Sequence, residues 1–213
     1  MLTLFGTPRS RSLRVSWLLE ELKLDWQYRF IDFGKGEQRQ AEFLALSPEG
    51  KVPVFQDDTA VLTESAAICL YIAEKYGQGT WLPQAGSAQS AHHWQWCSFI
   101  ISELEQGLWT MAKHKFALPE AQRRADAIET GLWEFNKAAQ TAAIWLNEHT
   151  YTCGDSPLVA DILLAHTLNW AVKSGCDLPD NLERFRKMMS SRPAMRLALD
   201  KEIQVAEQQK LSH

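Results

Sequence analysis

The sequence predicts two folded parts, an α/β N-terminal domain over residues 1–78 and an all-α helical bundle over residues 88–213. Three observations carry that division. Up to Tyr76 the chain alternates short strand-like runs with one-sided helical runs. Gly77 to Gly86, containing Gly79 and Pro83, has the composition of a linker, so residues 79–87 are read as a connector. Beyond it only helical spacing appears, and such a change of pattern marks a domain boundary.

Leu2 to Phe5 reads as a short buried strand. Val15, Leu18, Leu19 and Leu22 recur at helical spacing and predict the first helix. Trp26-Gln27-Tyr28-Arg29-Phe30 alternates as a strand does, so these three pieces form a βαβ unit with parallel strands. Residues 34–50, with Gly34, Gly36, Ser47, Pro48 and Gly50, read as a loop with one short helix around Glu42 to Leu46. Val52 to Gln56, the turn Asp57-Asp58-Thr59 and Ala60 to Leu62 form a hairpin. A helix from Ser65 to Tyr76 then buries Ile68, Tyr71 and Ile72.

In the second part, residues 88–112 predict a long helix with Cys97, Ile100, Ile101, Leu104 and Leu108 on one face. Residues 120–147 place Ala125, Ile128, Leu132, Phe135, Ala139, Ala142 and Leu146 on one stripe, which reads as a bundle core rather than a coiled coil. Further helices are predicted at 158–173, 181–189 and 193–207. Trp94, Trp96, Trp109, Trp133 and Trp145 crowd this half and point to an aromatic-rich core with room for an apolar ligand.

Composition excludes several classes. The net charge of -4 provides no basic field for nucleic acid or anionic membrane. No run approaches the ~18–20 apolar residues of a membrane span. The N-terminus carries no secretory pattern, and Cys69, Cys97, Cys153 and Cys176 form no C-x-x-C pair, so a reduced cytoplasmic setting is expected. His92-His93 point about 100° apart on a helix, and no H-E-x-x-H spacing exists, so no metal site is expected.

Three segments carry candidate chemistry. Gly50-Lys51-Val52-Pro53 enters a strand at a proline, where a cis bond is accessible. A cis turn would turn the Val52 N–H and C=O outward to pair with an extended peptide; the competing reading is a proline that starts an edge strand. Thr63-Glu64-Ser65 at a helix start presents N–H groups, a hydroxyl and the positive dipole end, which suit a carboxylate, while Glu64 suits an ammonium. An ordinary helix cap uses the same residues. Ser10 and Ser12, among Arg9, Arg11 and Arg14, either cap the first helix or donate to a thiolate and lower its pKa.

These segments have an order and spacing that resemble the cytosolic glutathione S-transferases, together with Pro8-Arg9-Ser10-Arg11-Ser12-Leu13-Arg14-Val15 before Trp17-Leu18-Leu19-Glu20-Glu21-Leu22, and Ala160-Asp161-Ile162. The likeness covers essentially the whole chain and is to the serine-type, bacterial-like members. It implies a thioredoxin-like N-terminal domain that takes glutathione as co-substrate through Lys51, Val52, Pro53, Glu64 and Ser65. It tips Val52-Pro53 to cis and gives Lys51 the glycyl carboxylate, with Gln38 or Arg39 as substitutes. Ser10 is the implied partner of the thiolate, with Ser12, Thr7 and a guanidinium from Arg9 or Arg11 as fallbacks. An electrophile pocket is implied in the helical part; Trp109, His114 and Phe116, at the far end of the first long helix, either line it or pack in the core.

The implied activity is conjugation of the thiolate to a hydrophobic electrophile, a detoxification reaction. The implied assembly is a homodimer, with the helix bearing Trp94, Trp96 and Phe99 as the candidate interface. A glutathione-dependent peroxidase or disulfide reductase, and a regulatory protein without catalysis, are the alternatives. The chain departs from the pattern twice. Counting back from Val15 lands on Arg9, and only a loop one residue shorter lands on Ser10. Position 158, where a capping hydroxyl is expected before Asp161, is Leu158, so the cap falls to Asp155 or Ser156 or is absent.

Overall fold

The computed structural model describes residues 1–211, which form two compact units, residues 1–80 together with 190–211 and residues 81–189. The first unit is built on a four-stranded sheet in the order β2-β1-β3-β4, with β1 Leu2–Gly6, β2 Trp26–Phe30, β3 Val54–Gln56 and β4 Val61–Leu62. β1 runs parallel to β2 in the register Leu2 to Trp26, and antiparallel to β3 with Phe5 opposite Val54. Trp26, Tyr28 and Phe30 point inward while Gln27 and Arg29 face solvent, the alternation the sequence predicts.

Helix α1, Ser12–Glu21, is buried at every residue from Ser12 to Leu19. Its apolar stripe faces the sheet and helix α3, Ser65–Tyr76, while its other side is covered by the last helix, α9, Pro193–Leu211. A short helix α2, Ala41–Leu44, lies in the loop before β3, with Phe43 packed against Ile31 and Val54. The division expected at 78 and 88 therefore differs from the packing: α9 seats on α1 and β2 and belongs with the first unit. Residues 79–87 are not a free connector either. Trp81 is buried, and its carbonyl accepts from Val159 N–H at 3.0 Å.

Asp57 ties the β3–β4 turn to α3. Its carboxylate accepts from Tyr71 Oη at 2.8 Å, Lys75 Nζ at 2.7 Å and Tyr76 Oη at 2.7 Å, and from the N–H groups of Thr59 and Ala60. Burial alone would raise its pKa, but the bonds from Lys75, Tyr76, Thr59 and Tyr71 outweigh it and hold the carboxyl far below the usual range.

The second unit opens with α4, Ala88–Phe99, and α5, Glu105–Ala112, which continue one helical run through wider π-type turns at Ile100–Leu104 and Lys113–Ala117. Helix α6, Ala125–Leu146, begins later than expected because Glu120–Gln122 form a 3-10 turn and Arg124 is extended. Its buried stripe is Gly131, Phe135, Ala138, Ala139, Ala142 and Leu146, and Leu132 faces out. α5 and α6 touch backbone to backbone: a Cβ on Gly107 would lie 2.5 Å from the Gly131 carbonyl oxygen. Of the residues expected at a dimer interface, Trp96 is interior, edge-on to Trp145 at 5.3 Å, whereas Trp94 is exposed.

Helix α7, Val159–Lys173, is the centre of this unit, buried without a break from Val159 to Leu168, and α8 is Asp180–Ser190. A helix start inside a core needs internal acceptors for its N–H groups. Neither Asp155 nor Ser156 supplies the cap. His93 Nε2, reaching from α4, accepts the Ala160 N–H at 3.3 Å; burial lowers its pKa to about 4, so the ring stays neutral and able to accept. Asp161 in turn accepts from the N–H groups of Thr152 and Leu158 at 2.7 and 2.8 Å and from the Thr152 hydroxyl. His93 supplies from α4 the acceptor that the Leu158 side chain cannot, while Thr152 donates to Asp161.

Because the Asp57 carboxyl is held low, its contribution is complete above the ordinary carboxylate value of 3.8 and is lost as pH falls below it. Asp57→Asn is expected to lower the unfolding free energy by about 1–2 kcal/mol at neutral pH, through hydrogen bonds made less well to a neutral group. The deficit should shrink in acid. Urea denaturation of both proteins at pH 7 and at pH 3 measures it, and equal midpoints at pH 7 would contradict this role.

Candidate functional site

The sheet register brings three loops to one edge of the first unit. β1 leaves the sheet at Gly6, β3 enters it at Val54 opposite Phe5, and β4 leaves it at Leu62 opposite Phe55. Residues 7–11, Val52-Pro53 and Glu64-Ser65 therefore share that edge. A buried bond confirms the approach: Arg14 of α1 donates through Nη1 to Ser65 Oγ at 3.1 Å.

Val52-Pro53 is cis, as the resemblance implies. Among the described residues the Val52 N–H and C=O have no hydrogen-bond partner, while the neighbouring Lys51 N–H and C=O are both bonded to Ser47 Oγ. Lys51 itself is exposed and paired with Glu49 at 2.8 Å. Glu64 is the N-cap residue of α3 yet caps nothing with its side chain, and its φ of 67° puts a non-glycine residue in the left-handed region. Such strain costs of order 1–3 kcal/mol and collects where a side chain must be aimed at a ligand. Arg9, in the opposite loop, has φ 65°.

The hydroxyls of the first loop differ in access. Thr7 Oγ1 donates to the Ile31 carbonyl at 2.8 Å, and Ser12 is fully buried. Ser10 is half-buried at the edge. Ser10 Oγ and Ser12 Oγ lie 2.6 Å apart, Ser12 N–H donates to Ser10 Oγ, and Ser12 Oγ lies 3.0 Å from the Thr7 carbonyl. One proton occupies the line between the two oxygens. When Ser12 supplies it, the Ser10 proton can point to an anion at the edge; when Ser10 supplies it, Ser12 turns to Thr7. An anion at Ser10 selects the first arrangement, and a chain of two hydroxyls polarises along its length.

Behind this loop lies a polar pocket that the sequence reading does not name. Glu202 of α9 is fully buried and accepts from Ser16 Oγ at 2.7 Å, while Oε2 has no partner among the described residues. Burial pushes its carboxyl up to about 8. Burial, and then the Glu202 charge, also raise the Tyr28 phenol well above its usual value. A sign was present: Ala194, Ala198, Glu202 and Ala206 recur every fourth residue, so Glu202 occupies the packing stripe of α9. Trp109, His114 and Phe116 lie in the second unit, along α5 and the π-type turns after it. His114 Nδ1 accepts from the Arg124 N–H, and Phe116 is largely exposed. A cavity of about 290 Å³ under α2 is lined by Phe5, Ile31, Phe43, Leu46, Glu37, Gln40 and Glu42, none of them predicted for the site. No group of three or more metal-ligating side chains occurs among the described residues, nor a helix long and apolar enough to cross a membrane.

A thioredoxin-like unit with its open edge at a cis-proline loop, followed by a helical unit, defines a class of protein. The chain belongs to the glutathione S-transferase family: the family's N-terminal domain profile matches residues 1–74 and its C-terminal domain profile residues 104–193. Glutathione S-transferase GstB of Escherichia coli K12 is 29% identical over 203 residues, spanning 92% of this chain and 96% of GstB. Disulfide-bond oxidoreductase YfcG of the same organism is also 29% identical, over 93% of this chain and 94% of YfcG. The solved glutathione S-transferase from Xylella fastidiosa superposes with a TM-score of 0.82 at 28% identity, covering 95% of this chain and 98% of that one.

Gly6 is the residue on which the hydroxyl pair turns. A Cβ there would lie 2.6 Å from Ser12 Cβ and Oγ and 2.8 Å from Tyr28 Oη. Gly6→Ala is expected to destabilise the protein by roughly 1–3 kcal/mol, the usual cost of forcing a methyl group into a packed interior. Thermal unfolding followed by circular dichroism checks this; a midpoint equal to that of the wild type would mean the loop has room to move.

Proposed function

We propose that the chain is a glutathione transferase that joins the glutathione thiolate to a small hydrophobic electrophile. The observation that carries this reading is the Val52 backbone, without a partner at the sheet edge and next to the uncapped start of α3. An extended tripeptide can bond to Val52 as an added strand. Its γ-glutamyl end then meets both groups it requires, first-turn N–H groups and Ser65 for the carboxylate, Glu64 for the ammonium. The tripeptide thiol falls to the β1–α1 loop, where Ser10 donates to sulfur and stabilises the anion. The thiolate then forms a C–S bond to the electrophilic carbon, whose leaving group or π electrons take up the displaced pair.

The GstB relative favours conjugation, and the homodimer usual in the family goes with it. The similarity to YfcG favours a second reading, disulfide reduction by the same thiolate. Chlorodinitrobenzene and hydroxyethyl disulfide assays run side by side separate the two. Lys51 serves the glycyl carboxylate after exchanging Glu49 for it. Trp109, His114 and Phe116 are the proposed contacts of the second substrate.

Glu64→Ala should weaken glutathione binding by tenfold or more, since losing a charge-assisted bond costs about 1.5–3 kcal/mol. Both residues carry a Cβ, so the backbone strain at position 64 is kept and the loss reports on the carboxylate. Titration calorimetry on the folded variant measures it, and unchanged affinity would remove Glu64 from the site.

Ser10→Ala should raise the pKa of bound glutathione and lower turnover while leaving affinity nearly unchanged, because the hydroxyl acts on charge that binding does not require. Ser12→Ala should shift the same pKa less, since Ser12 acts through Ser10. Ultraviolet titration of the bound thiolate on both variants and on Arg11→Ala ranks the groups. Should Ser10→Ala change nothing while Arg11→Ala abolishes the thiolate, the activating group is a guanidinium.

A further inference from the structure

Glu202 has no part in binding a tripeptide, yet among the described residues it is a carboxyl group fully buried behind the loop that receives the thiol. It holds the first turn of α1 through Ser16 Oγ at 2.7 Å, and that hydroxyl also lies 3.4 Å from the Ser12 carbonyl oxygen. Its second oxygen faces a wall without a donor, and the Tyr28 hydroxyl, likewise buried, has no partner among the described residues. Tyr28 borders Ser12 at the space where Gly6 has no side chain. Glu202, Tyr28, Ser12 and Ser10 thus form a column of polar groups from the interior to the site edge.

An unneeded buried carboxyl is costly, and a packing stripe otherwise made of alanines would accept an apolar residue. We infer that Glu202 is a positioning residue that couples its own proton to the ionisation of the bound thiol, through Ser16 on the first turn of α1 and the Ser12–Ser10 hydroxyls. The inference rests on the glutathione reading of the site. With its proton in place, Glu202 keeps the first turn of α1 pinned through Ser16 and adds no charge behind the loop. When the proton leaves to water, a negative charge stands behind the hydroxyl column, the Ser10 dipole is pulled inward, and a thiolate at the edge is disfavoured.

The charged groups on the elements packed around it have partners of their own: the buried Arg14 of α1 donates to Ser65 Oγ, and Arg192, just before α9, is paired with Glu21. Glu20 of α1 is taken by Trp26 Nε1, Lys201 of α9 donates to the Trp26 carbonyl, and Tyr28 is the titratable neighbour from β2. Burial keeps Glu202 protonated until about pH 8, so the coupling falls in the range where glutathione thiols ionise. Linkage is reciprocal: a bound thiolate must raise the Glu202 pKa by as much as ionised Glu202 raises that of the thiol.

Glu202→Gln is the test, because an amide keeps the shape and an acceptor oxygen but has no proton to lose. Binding of glutathione is first measured by calorimetry, and the bound thiol is then titrated in the ultraviolet from pH 6 to pH 10 in both proteins. The wild type should show a broadened thiol titration, and the variant a single-proton curve whose alkaline part is shifted down by roughly one pH unit. Identical curves overturn the inference while leaving the glutathione site intact. Failure of the wild type to bind glutathione removes the site and the inference with it. If the variant does not fold, infrared difference spectra of the wild type decide: a protonated carboxyl band should disappear with a midpoint that rises when glutathione is bound. A midpoint that ignores glutathione is the contrary result.

Discussion

Burial of α1 on every side is the constraint from which the first unit follows. A helix wrapped between sheet, α3 and α9 cannot leave its polar side chains to water, and each must find a partner within the protein. Arg14 reaches the start of α3 at Ser65, Ser16 reaches Glu202 on α9, and Ser12 reaches the loop before it. Those bonds stitch together elements far apart in sequence. They also place a hydroxyl, a strained helix start and an unpaired loop residue at one edge, so the demands of packing and the construction of the site are the same set of contacts.

Much of the first unit was legible because its signals are local. The alternation at Trp26–Phe30, the proline at 53 and the Thr63-Glu64-Ser65 helix start act within a few residues, and the sheet order follows from them. The place of α9 was not legible. Helical period states that one face of residues 193–211 is apolar, but not which body will cover it, and the covering elements α1 and β2 lie near the opposite end of the chain. The side to which Trp96 turns was hidden for a related reason: an aromatic residue on a helix serves a core or an interface equally well, and only its edge-on contact with Trp145 decides.

The candidate site divides in the same way. Backbone features, Val52 and the open end of α3, follow from loop residues read in order. The roles of side chains depend on burial, which spacing does not reveal: of two serines in the loop, one is buried and one is at the edge. Arg14 and Glu202 were hidden because charged residues are expected to be solvated, and only their position on apolar or small-residue stripes marked them. The start of α7 repeats this lesson, since the acceptor that Leu158 lacks comes from His93, elsewhere in the second unit.

The glycine crossing of α5 and α6 bears on how the second unit can diversify. Gly107 and Gly131 meet through their backbones, so no other side chain fits at either position, and the crossing is frozen against drift. The turn that follows, Lys113–Ala117, is held differently: Arg123 grips it by the carbonyl oxygens of Phe116 and Leu118, which every residue possesses. Side chains there can be exchanged without releasing the grip. A lineage carrying this fold can rewrite the exposed chemistry of that turn one residue at a time, while the helices beneath keep a geometry that selection cannot easily alter.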